Sequence, residues 1–477
     1  MNLNHIRDQI IGVDIEVPCL DGQKRKYVYL DNAASTPAFK SVLNCIRDFL
    51  PYYSGVHRGT GFKSLLSTEL FDSAHEIAGK FVNANLKNNT VIFVKNTTEA
   101  VNKLAARLGL ERDDIVITTM MEHHSNDLPW RKFAKVIHVK TDSMGYLDLN
   151  HLEDLIKKHY RDIKLVAISG ASNITGYINP IYQIAKLAHG YGIKIFVDAA
   201  QLIPHRRFDV LPDESDEHID FVAFSAHKMY APFGTGVLIG PNQFFEKGDP
   251  DIVGGGVVEI VTLDEVYWTH PPFKEEAGSP NVIGGVALAR AILQLQEFSM
   301  DYIADHEKKL LEYTYNKLKK IPDIELYGDT NNLANKVGVI PFNIKNMHHA
   351  LTASILSFEG GIGVRNGCFC AHPYVKHLLK LSQDEEFQLI SQIQNGDKSN
   401  LPGMVRASFG CYNNEDDVDR FVQMLERIVK NDYQGKYILN QHTGTYTVQG
   451  FDINLKEYFP FHPGKTSYDG KHYPESA

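Results

Sequence analysis

The stretch DFVAFSAHKMYAPFGTG, residues 220–236, places a short apolar run just before a lysine. The run has the length of a buried β-strand, and the residues after Lys228 are rich in Pro and Gly, as in a turn. Rigid backbone holds a lysine at a strand end, and open α/β sheets bind ligands at the carboxyl ends of their strands. The stretch therefore predicts that Lys228 points into a cleft, although a solvated loop lysine would look the same.

Similar strand-like runs recur through residues 91–240, with helical stretches between most of them. The runs are VIFV (91–94), IVITT (115–119), KVIHV (135–139), KLVAIS (164–169), KIFVD (194–198), DFVAF (220–224) and GVLIG (236–240). Strands that alternate with helices form a mainly parallel sheet covered on both faces. The last two runs are joined too tightly for a crossover helix, so one of them is predicted to be antiparallel. The fold class is therefore α/β, with a large domain at 30–285.

The sequence after residue 285 predicts a smaller α+β domain, built from residues 1–29 and 286–434. It contains a long helical region at about 283–320, followed by shorter helices and two strands. The predicted strands are 337–342 and 405–410, and the predicted helices are 348–358, 373–380, 384–394 and 414–430. The tail, residues 435–477, is polar and aromatic without periodicity, and its sequence indicates no role.

Composition narrows the classes of function. The chain has 477 residues, of which 43% are hydrophobic and 22% charged, as in ordinary globular proteins. A net charge of −9 without a long basic run argues against nucleic acid as a partner. No apolar stretch approaches the about 18 residues of a membrane span, and charges interrupt the N-terminal apolar run, unlike a secretory signal. Five scattered cysteines argue against a disulfide framework and predict a cytoplasmic location.

Polar residues follow several predicted strands or flank Lys228. They are Thr97, Thr98, Asp198, Ser225 and His227. A carboxylate at the end of an apolar strand needs a cationic partner, and hydroxyls at a helix N-terminus suit a phosphate. Each residue also has a structural explanation, as an N-cap, an ion pair or a packed histidine. Pyridoxal 5′-phosphate accounts for them together, because it needs a lysine for its aldehyde, an acid for its ring nitrogen and a phosphate cup.

On these residues, positions 28–431 resemble the class V aminotransferase family of fold type I pyridoxal-phosphate enzymes, in its cysteine desulfurase branch. The resemblance implies that Lys228 of the S-x-H-K motif bonds to the cofactor and that Asp198 of the D-x-A-Q motif pairs with the ring nitrogen. It further implies that Gln201 contacts the ring hydroxyl and that His123 of the E-H-H motif stacks on the ring. Asn173 of the S-N-x-x-G motif is expected near the ring hydroxyl and the substrate.

The resemblance also implies roles at the two ends of the ligand. Thr98, with Thr97, matches the phosphate-binding T-T-E motif, and Arg406 matches the arginine that clamps the substrate carboxylate. The stretch EEAGSPN (275–281) resembles a loop that a second subunit lends to the phosphate, with Ser279 where the family usually has threonine. The resemblance thus implies a homodimer with shared active sites.

The segment VRNGCFCAH (364–372) bears on the reaction. An accessible thiolate near the cofactor could take sulfur from bound L-cysteine as a persulfide and leave L-alanine. Group II cysteine desulfurases carry their nucleophile three residues after the glycine of an R-x-G motif, which corresponds to Cys370. The G-C-F-C pattern resembles the desulfurase domain of molybdenum cofactor sulfurases. Without a second Cys pair, no metal site is predicted.

The predicted function is a cysteine desulfurase that passes persulfide sulfur to an acceptor, which could be a protein. Two alternatives remain open at this point. One is another class V enzyme, such as an aminotransferase, a C–S lyase or an epimerase, in which Cys370 is incidental. The other is a non-catalytic binding module, against which the set of Lys228, Asp198 and His123 argues, because a scaffold has no need of a lysine that bonds to an aldehyde.

Overall fold

The computed structural model describes residues 3–458, apart from the side chains of residues 456 and 457. Its main sheet has seven strands. They are β1 (Asn89–Val94), β2 (Ile115–Thr119), β3 (Lys135–Val139), β4 (Ile163–Ser169), β5 (Lys194–Asp198), β6 (Phe221–Ser225) and β7 (Gly236–Pro241). Their order across the sheet is β1-β7-β6-β5-β4-β2-β3. Only β7 runs antiparallel to its neighbours, β1 and β6, within this sheet. The predicted mainly parallel sheet, with an antiparallel strand after the short link, is confirmed.

Helices cover both faces of the main sheet. They are Lys40–Phe49, Phe62–Phe81, Thr97–Arg107, Leu128–Phe133, Leu149–His159, Ile181–His189 and Val282–Phe298. The alternation along β5 shows how the strands serve both faces, since Ile195 and Val197 belong to one apolar cluster and Phe196 to another. Strands buried on both faces have continuous apolar sequences, which is why the runs were recognisable.

A second, antiparallel sheet lies in the later part of the chain. Its strands are β8 (Ile324–Leu326), β9 (Val339–Ile344), β10 (Arg365–Gly367) and β11 (Met404–Ser408), in the order β8-β9-β11-β10. The accompanying helices are Met300–Leu318, His349–Gly360, His372–Leu378, Gln383–Gln394 and Glu415–Val429. Strands β8, β9 and β11 and the helices Met300–Leu318, His349–Gly360 and Glu415–Val429 share one apolar cluster separate from those of the main sheet. Helix His372–Leu378 belongs to another cluster, and Gln383–Gln394 has no buried residue. This arrangement confirms a smaller α+β unit.

The predicted helix over 283–320 is two helices, Val282–Phe298 and Met300–Leu318. They meet at Ser299, whose φ of 68° lies outside the helical region and whose side chain accepts the N–H of Tyr302. The apolar residues of the first helix belong to the core of the main sheet. The domain boundaries themselves, including the division at residue 285, stay a prediction.

The tail begins with a hairpin of strands Tyr437–Asn440 and Thr445–Val448. The Glu359 carboxylate holds the segment before it by accepting the backbone N–H groups of Gln434 and Gly435 at 2.9 Å. The tail prediction for residues 459–477 lies outside the described residues. Among the residues that the structure describes, no helix is long and apolar enough to cross a membrane.

Candidate active site

A cavity of about 360 Å³ opens at the carboxyl ends of the parallel strands and is closed on one side by the smaller unit. The sequence-predicted residues that line it are Thr97, Thr98, His123, Asn173, Asp198, Gln201, Ser225, His227, Lys228, Cys370 and Arg406. They converge because parallel strands end at the same edge of a sheet. Ser279 is the predicted site residue that does not line this cavity.

Lys228 ends the single turn Ala226–Lys228 that follows β6. Its pKa is lowered to about 8, mainly by burial, which the charge of Asp198 opposes and the positive charge of Arg406 reinforces. Within the described chain the ammonium group forms no salt bridge. A lysine in this setting is neutral in a substantial fraction of molecules near neutral pH, so its amine is reactive.

Asp198 is the last residue of β5, and burial raises the pKa of its carboxyl group. One carboxylate oxygen accepts the N–H of Ala200 at 3.0 Å, and no described cation forms a salt bridge with it. Nearby, Gln201 donates to the carbonyl of Ala33 at 2.6 Å, whereas its buried Oε1 has no hydrogen-bond partner among the described residues. A desolvated carboxylate and an unpaired amide oxygen both suit a ligand that carries a protonated ring nitrogen and a hydroxyl group.

Hydroxyls surround the N-terminus of helix Thr97–Arg107. Thr97 Oγ1 lies 2.7 Å from Ser225 Oγ, and the backbone N–H of Thr97 donates to the same serine at 2.9 Å. Thr98 Oγ1 lies 2.6 Å from Ser125 Oγ. Burial lowers the pKa of His227 to about 4, so its imidazole is neutral. Because a helix N-terminus carries free N–H groups and a partial positive charge, this corner suits a phosphate.

His123 precedes the turn His124–Asn126. Its Nδ1 accepts the backbone N–H of Ser125 at 3.1 Å, which leaves the proton of the neutral ring on Nε2. Burial lowers the pKa of His123 to about 3, and the charge of Lys228 adds to this effect. The imidazole is therefore a neutral group beside the cavity, able to stack on a ring and to donate from Nε2.

Arg406, on β11, is buried rather than at the surface. Its Nη2 donates to Asp31 at 2.9 Å and its Nη1 to the carbonyl of Asn173 at 3.1 Å, while Nε has no hydrogen-bond partner in the described part of the chain. Asp31 also pairs with Arg365 at 2.8 Å. Sequence reasoning missed Asp31 and Arg365, although Arg365 lies within the stretch VRNGCFCAH (364–372).

Glu122 is a third residue that the sequence did not reveal. It accepts hydrogen bonds from Thr119, Asn126 and Ser169, yet burial still raises its pKa to about 7. These bonds join the loop of His123 to the end of β4, beside the cavity. Glu122 is the first residue of the E-H-H motif. The motif was therefore the available signal, because only its histidine had been given a role.

The two cysteines of the 364–372 segment differ in environment. Cys370 is exposed and lines the cavity, whereas Cys368 is half-buried with its Sγ 3.0 Å from the carbonyl of Pro402. Burial raises the pKa of Cys368 to about 11. Phe369 and Cys370 have positive φ angles of 49° and 56°, and Asn173 donates to the carbonyl of Phe369 at 2.8 Å. The side chain of Asn173 thus supports the cysteine turn.

Ser279 lies in a neighbouring cavity, about 470 Å³ in volume, together with His57, Arg58 and Gly255. It does not reach the cavity of Lys228 within the same chain. This position is compatible with the expectation that the EEAGSPN loop serves a second subunit, which stays a prediction.

Comparisons with known proteins identify the family of the chain. The profile of the family described as "Aminotransferase class-V" matches residues 28–421. A cysteine desulfurase of Haloferax volcanii is 34% identical over 88% of this chain and 94% of that protein. A probable cysteine desulfurase of Halalkalibacterium halodurans is 35% identical over 90% of this chain and 98% of that protein.

Solved structures lead to the same family. The apo structure of a cysteine desulfurase from Thermococcus onnurineus has a TM-score of 0.75 and 33% identity, covering 85% of this chain and 95% of its own. A cysteine desulfurase of Escherichia coli also has a TM-score of 0.75, with 28% identity, covering 90% of this chain and 99% of its own. The fold type I prediction is confirmed, whereas the resemblance to molybdenum cofactor sulfurases stays a prediction. The chain belongs to the class V aminotransferase family.

Proposed function

We propose that this protein is a pyridoxal-phosphate-dependent cysteine desulfurase that converts L-cysteine to L-alanine and carries the sulfur as a persulfide on Cys370. The observation that carries the proposal is an exposed thiol beside the same cavity as Lys228 and Asp198. The names of the relatives support it independently.

The residues around the cavity fit the cofactor. When bound, pyridoxal phosphate withdraws electrons from the substrate Cα through its protonated ring. Lys228 would hold its aldehyde, Asp198 its ring nitrogen and Gln201, through the unpaired Oε1, its ring hydroxyl. His123 would stack on the ring. The phosphate would be held by Thr97, Thr98, Ser225, His227 and, in a homodimer, Ser279 of the partner subunit.

The substrate carboxylate would bind to Arg406. Two of the nitrogens of this guanidinium already hold Asp31 and the carbonyl of Asn173, and the unpartnered Nε leaves a donor for a ligand. Asp31 and Arg365 orient Arg406, and Asn173 links it to the cysteine turn. The carboxylate of L-cysteine would therefore be placed close to the loop that carries the thiol.

Three side chains would move protons and sulfur. The Lys228 amine, with its pKa of about 8, can accept the Cα proton, while neutral His123 can donate from Nε2. The Cys370 thiolate attacks the Sγ of the substrate and forms an S–S bond. The Cβ–Sγ bond breaks, its electron pair stays with Cβ, and protonation there gives the methyl group of alanine. An exposed persulfide could then pass its sulfur to an acceptor protein in the cytoplasm.

A direct test incubates the cofactor-loaded protein with L-cysteine, then measures released alanine and the mass gained on each cysteine-containing peptide. Wild type should release alanine and gain one sulfur atom on Cys370. Cys370→Ser should lose alanine release by roughly 100-fold or more, while keeping the visible absorbance of bound cofactor. Cys368→Ser, two residues away and half-buried, is the matched control and should remain active.

Other outcomes would contradict the proposal. If Cys370→Ser released alanine at the wild-type rate, the thiol would be incidental. If a keto acid formed in place of alanine, the reaction would be a transamination. The protein would be a binding module if it never acquired the visible absorbance of bound cofactor. The same would follow if borohydride removed that absorbance without adding the mass of the cofactor at Lys228.

A further inference from the structure

A second cluster of polar side chains lies at the amino ends of β5 and β6, across the main sheet from the candidate active site. His189 ends the helix Ile181–His189, His218 lies on the segment before β6, and Asp220 directly precedes that strand. One ligand atom from each of the three lies within 4.8 Å of the others. The reaction proposed above uses none of them.

Hydrogen bonds determine where the histidine protons lie. Nδ1 of His189 is 2.8 Å from the carbonyl of Asp216, and Nδ1 of His218 is 2.6 Å from the carbonyl of Ser215. A carbonyl oxygen only accepts, so both Nδ1 atoms carry hydrogen. A neutral imidazole has one N–H, so each Nε2 presents a bare lone pair. Histidines that bind metals are commonly oriented in this way, through a carbonyl on the other nitrogen.

Both lone pairs point at a group that cannot donate to them. Nε2 of His189 lies 2.9 Å from one oxygen of Asp220, and Nε2 of His218 lies 3.7 Å from the other. An extra proton on Nε2 of His189, or a cation between the three groups, must therefore offset these facing acceptors. A proton would satisfy His189 alone and would set its positive charge against the stacked ring of His218, whose centroid is 4.2 Å away. One metal ion would satisfy both rings and the carboxylate.

The distances suit a small divalent ion. Zinc binds His nitrogen and carboxylate oxygen at about 2.0–2.2 Å, so ligand atoms around a tetrahedral ion are about 3.3 Å apart. His189 and His218 lie 2.9 and 3.7 Å from the two different oxygens of Asp220, and one ligand atom from each of the three residues lies within 4.8 Å of the others, so a small inward movement would reach this spacing. The His189 and His218 side chains are 15% and 23% exposed, so an ion can reach them from solvent.

Neighbouring groups oppose and support such an ion. Lys194 Nζ lies 2.9 Å from Asp220 and would compete for its oxygen, although the lysine side chain is 47% exposed and free to turn outward. The backbone N–H of Ile195 donates to the other oxygen and orients the carboxylate. Lys186 is paired with Asp216 at 3.0 Å, so its charge is offset by a carboxylate.

We propose that Nε2 of His189, Nε2 of His218 and a carboxylate oxygen of Asp220 bind one divalent transition metal ion of the zinc type, with solvent as the remaining ligand. Imidazole and carboxylate ligands in this number suit zinc. The ion joins a helix end, a loop and the start of β6, next to the start of β5. Its role is structural, at the edge of the sheet opposite to the reaction.

The test uses the full-length, cofactor-loaded protein after removal of metals with EDTA. Zinc chloride is titrated by calorimetry, and thermal unfolding is followed with and without zinc. The expected result is one zinc ion per chain at this site and a higher unfolding temperature. His218→Gln should weaken this binding by more than the roughly 10–100-fold lost when an outer-shell partner is changed. His159→Gln, on a neighbouring helix, should bind as wild type does.

Further variants keep the result interpretable. Cys370→Ser should leave the zinc stoichiometry at this site unchanged, which separates it from binding by the thiols. Lys194→Met should strengthen zinc binding several-fold, because the competing ammonium is gone. The proposal is overturned if zinc neither binds nor raises the unfolding temperature, or if His218→Gln binds as tightly as wild type. It is also overturned if Lys194→Met weakens zinc binding. Removal of the ammonium group would in that case have favoured protons on the two rings over the metal ion.

Discussion

Strands β5 and β6 place one lysine and one aspartate, Lys194 and Asp220, at their amino ends. They place a second such pair, Lys228 and Asp198, at their carboxyl ends. The two pairs behave differently. At the amino ends, Lys194 and Asp220 form a salt bridge of 2.9 Å, and the Lys194 ammonium and the backbone N–H of Ile195 help to hold the pKa of Asp220 far below its usual value. At the carboxyl ends, burial raises the pKa of Asp198 and lowers that of Lys228.

The comparison teaches that residue type alone does not decide reactivity. A paired carboxylate with several donors is stabilised in its charged form and serves the structure. A desolvated carboxylate and a desolvated amine without a salt bridge stay available to a ligand, at a cost in folding free energy. The active-site end of the sheet therefore carries groups that the rest of the fold leaves unsatisfied.

The largest expected effect comes from replacing each lysine. Lys228→Ala should abolish covalent cofactor binding and reduce alanine release by at least about 1,000-fold, because both the aldehyde partner and the base are lost. Lys194→Ala, at the other end of the neighbouring strand, should leave activity within about twofold, since it touches no cavity residue. Alanine release and the mass of borohydride-treated peptides measure both. Equal losses in the two variants would break the comparison.

A smaller effect distinguishes the two aspartates. Asp220→Asn should lower the free energy of unfolding by about 1–3 kcal/mol at pH 7, because Lys194 and the backbone N–H of Ile195 lose a charged acceptor. A depressed pKa stabilises the fold above the unfolded value of about 3.9, so this loss should shrink as the pH falls below about 4.

Asp198→Asn should have the opposite pattern, with no loss of stability and a large loss of activity. The cofactor-free protein should unfold at an unchanged or higher temperature, because an ionised carboxylate is no longer buried. Activity should nevertheless fall by about 100-fold or more, since the ring nitrogen loses its acid. Denaturation of cofactor-free protein and alanine release of loaded protein separate the two effects. A marked destabilisation by Asp198→Asn would show that its carboxylate has an unrecognised structural partner.

The smallest effect sharpens the electrostatic part of the comparison. In cofactor-free protein, modification of Lys228 by an amine-selective reagent should rise with pH around a midpoint near 8. Asp198→Asn should move this midpoint to lower pH, because the carboxylate charge favours the ammonium form. Asp220→Asn should leave it in place. The rate of modification at Lys228, followed by peptide mass spectrometry, gives the midpoint in each variant.

Much of the fold followed from local patterns. The bounds of β2, β3 and β5 agree with the apolar runs, because strands buried on both faces have continuous apolar sequences. The break between the two helices at Ser299 was missed, because the sequences on both sides of it have helical periodicity. The two helices are distinguished only by the different apolar cores on which they pack. The hairpin at Tyr437 was missed because its docking depends on Glu359, far away in the chain.

The sequence by itself determined the sheet, the strand ends that meet at the cavity, and the motif residues Lys228, Asp198 and His123. These features depend on residues only a few positions apart in the sequence, because such local patterns determine where strands, turns and helix caps form. Only the tertiary structure decided that Asp31 joins Arg365 and Arg406, and that His189, His218 and Asp220 converge. Asp31 and Arg406 are 375 positions apart, so no spacing rule links them. Their pairing arises when the two sheets pack and bury charges that must then find one another.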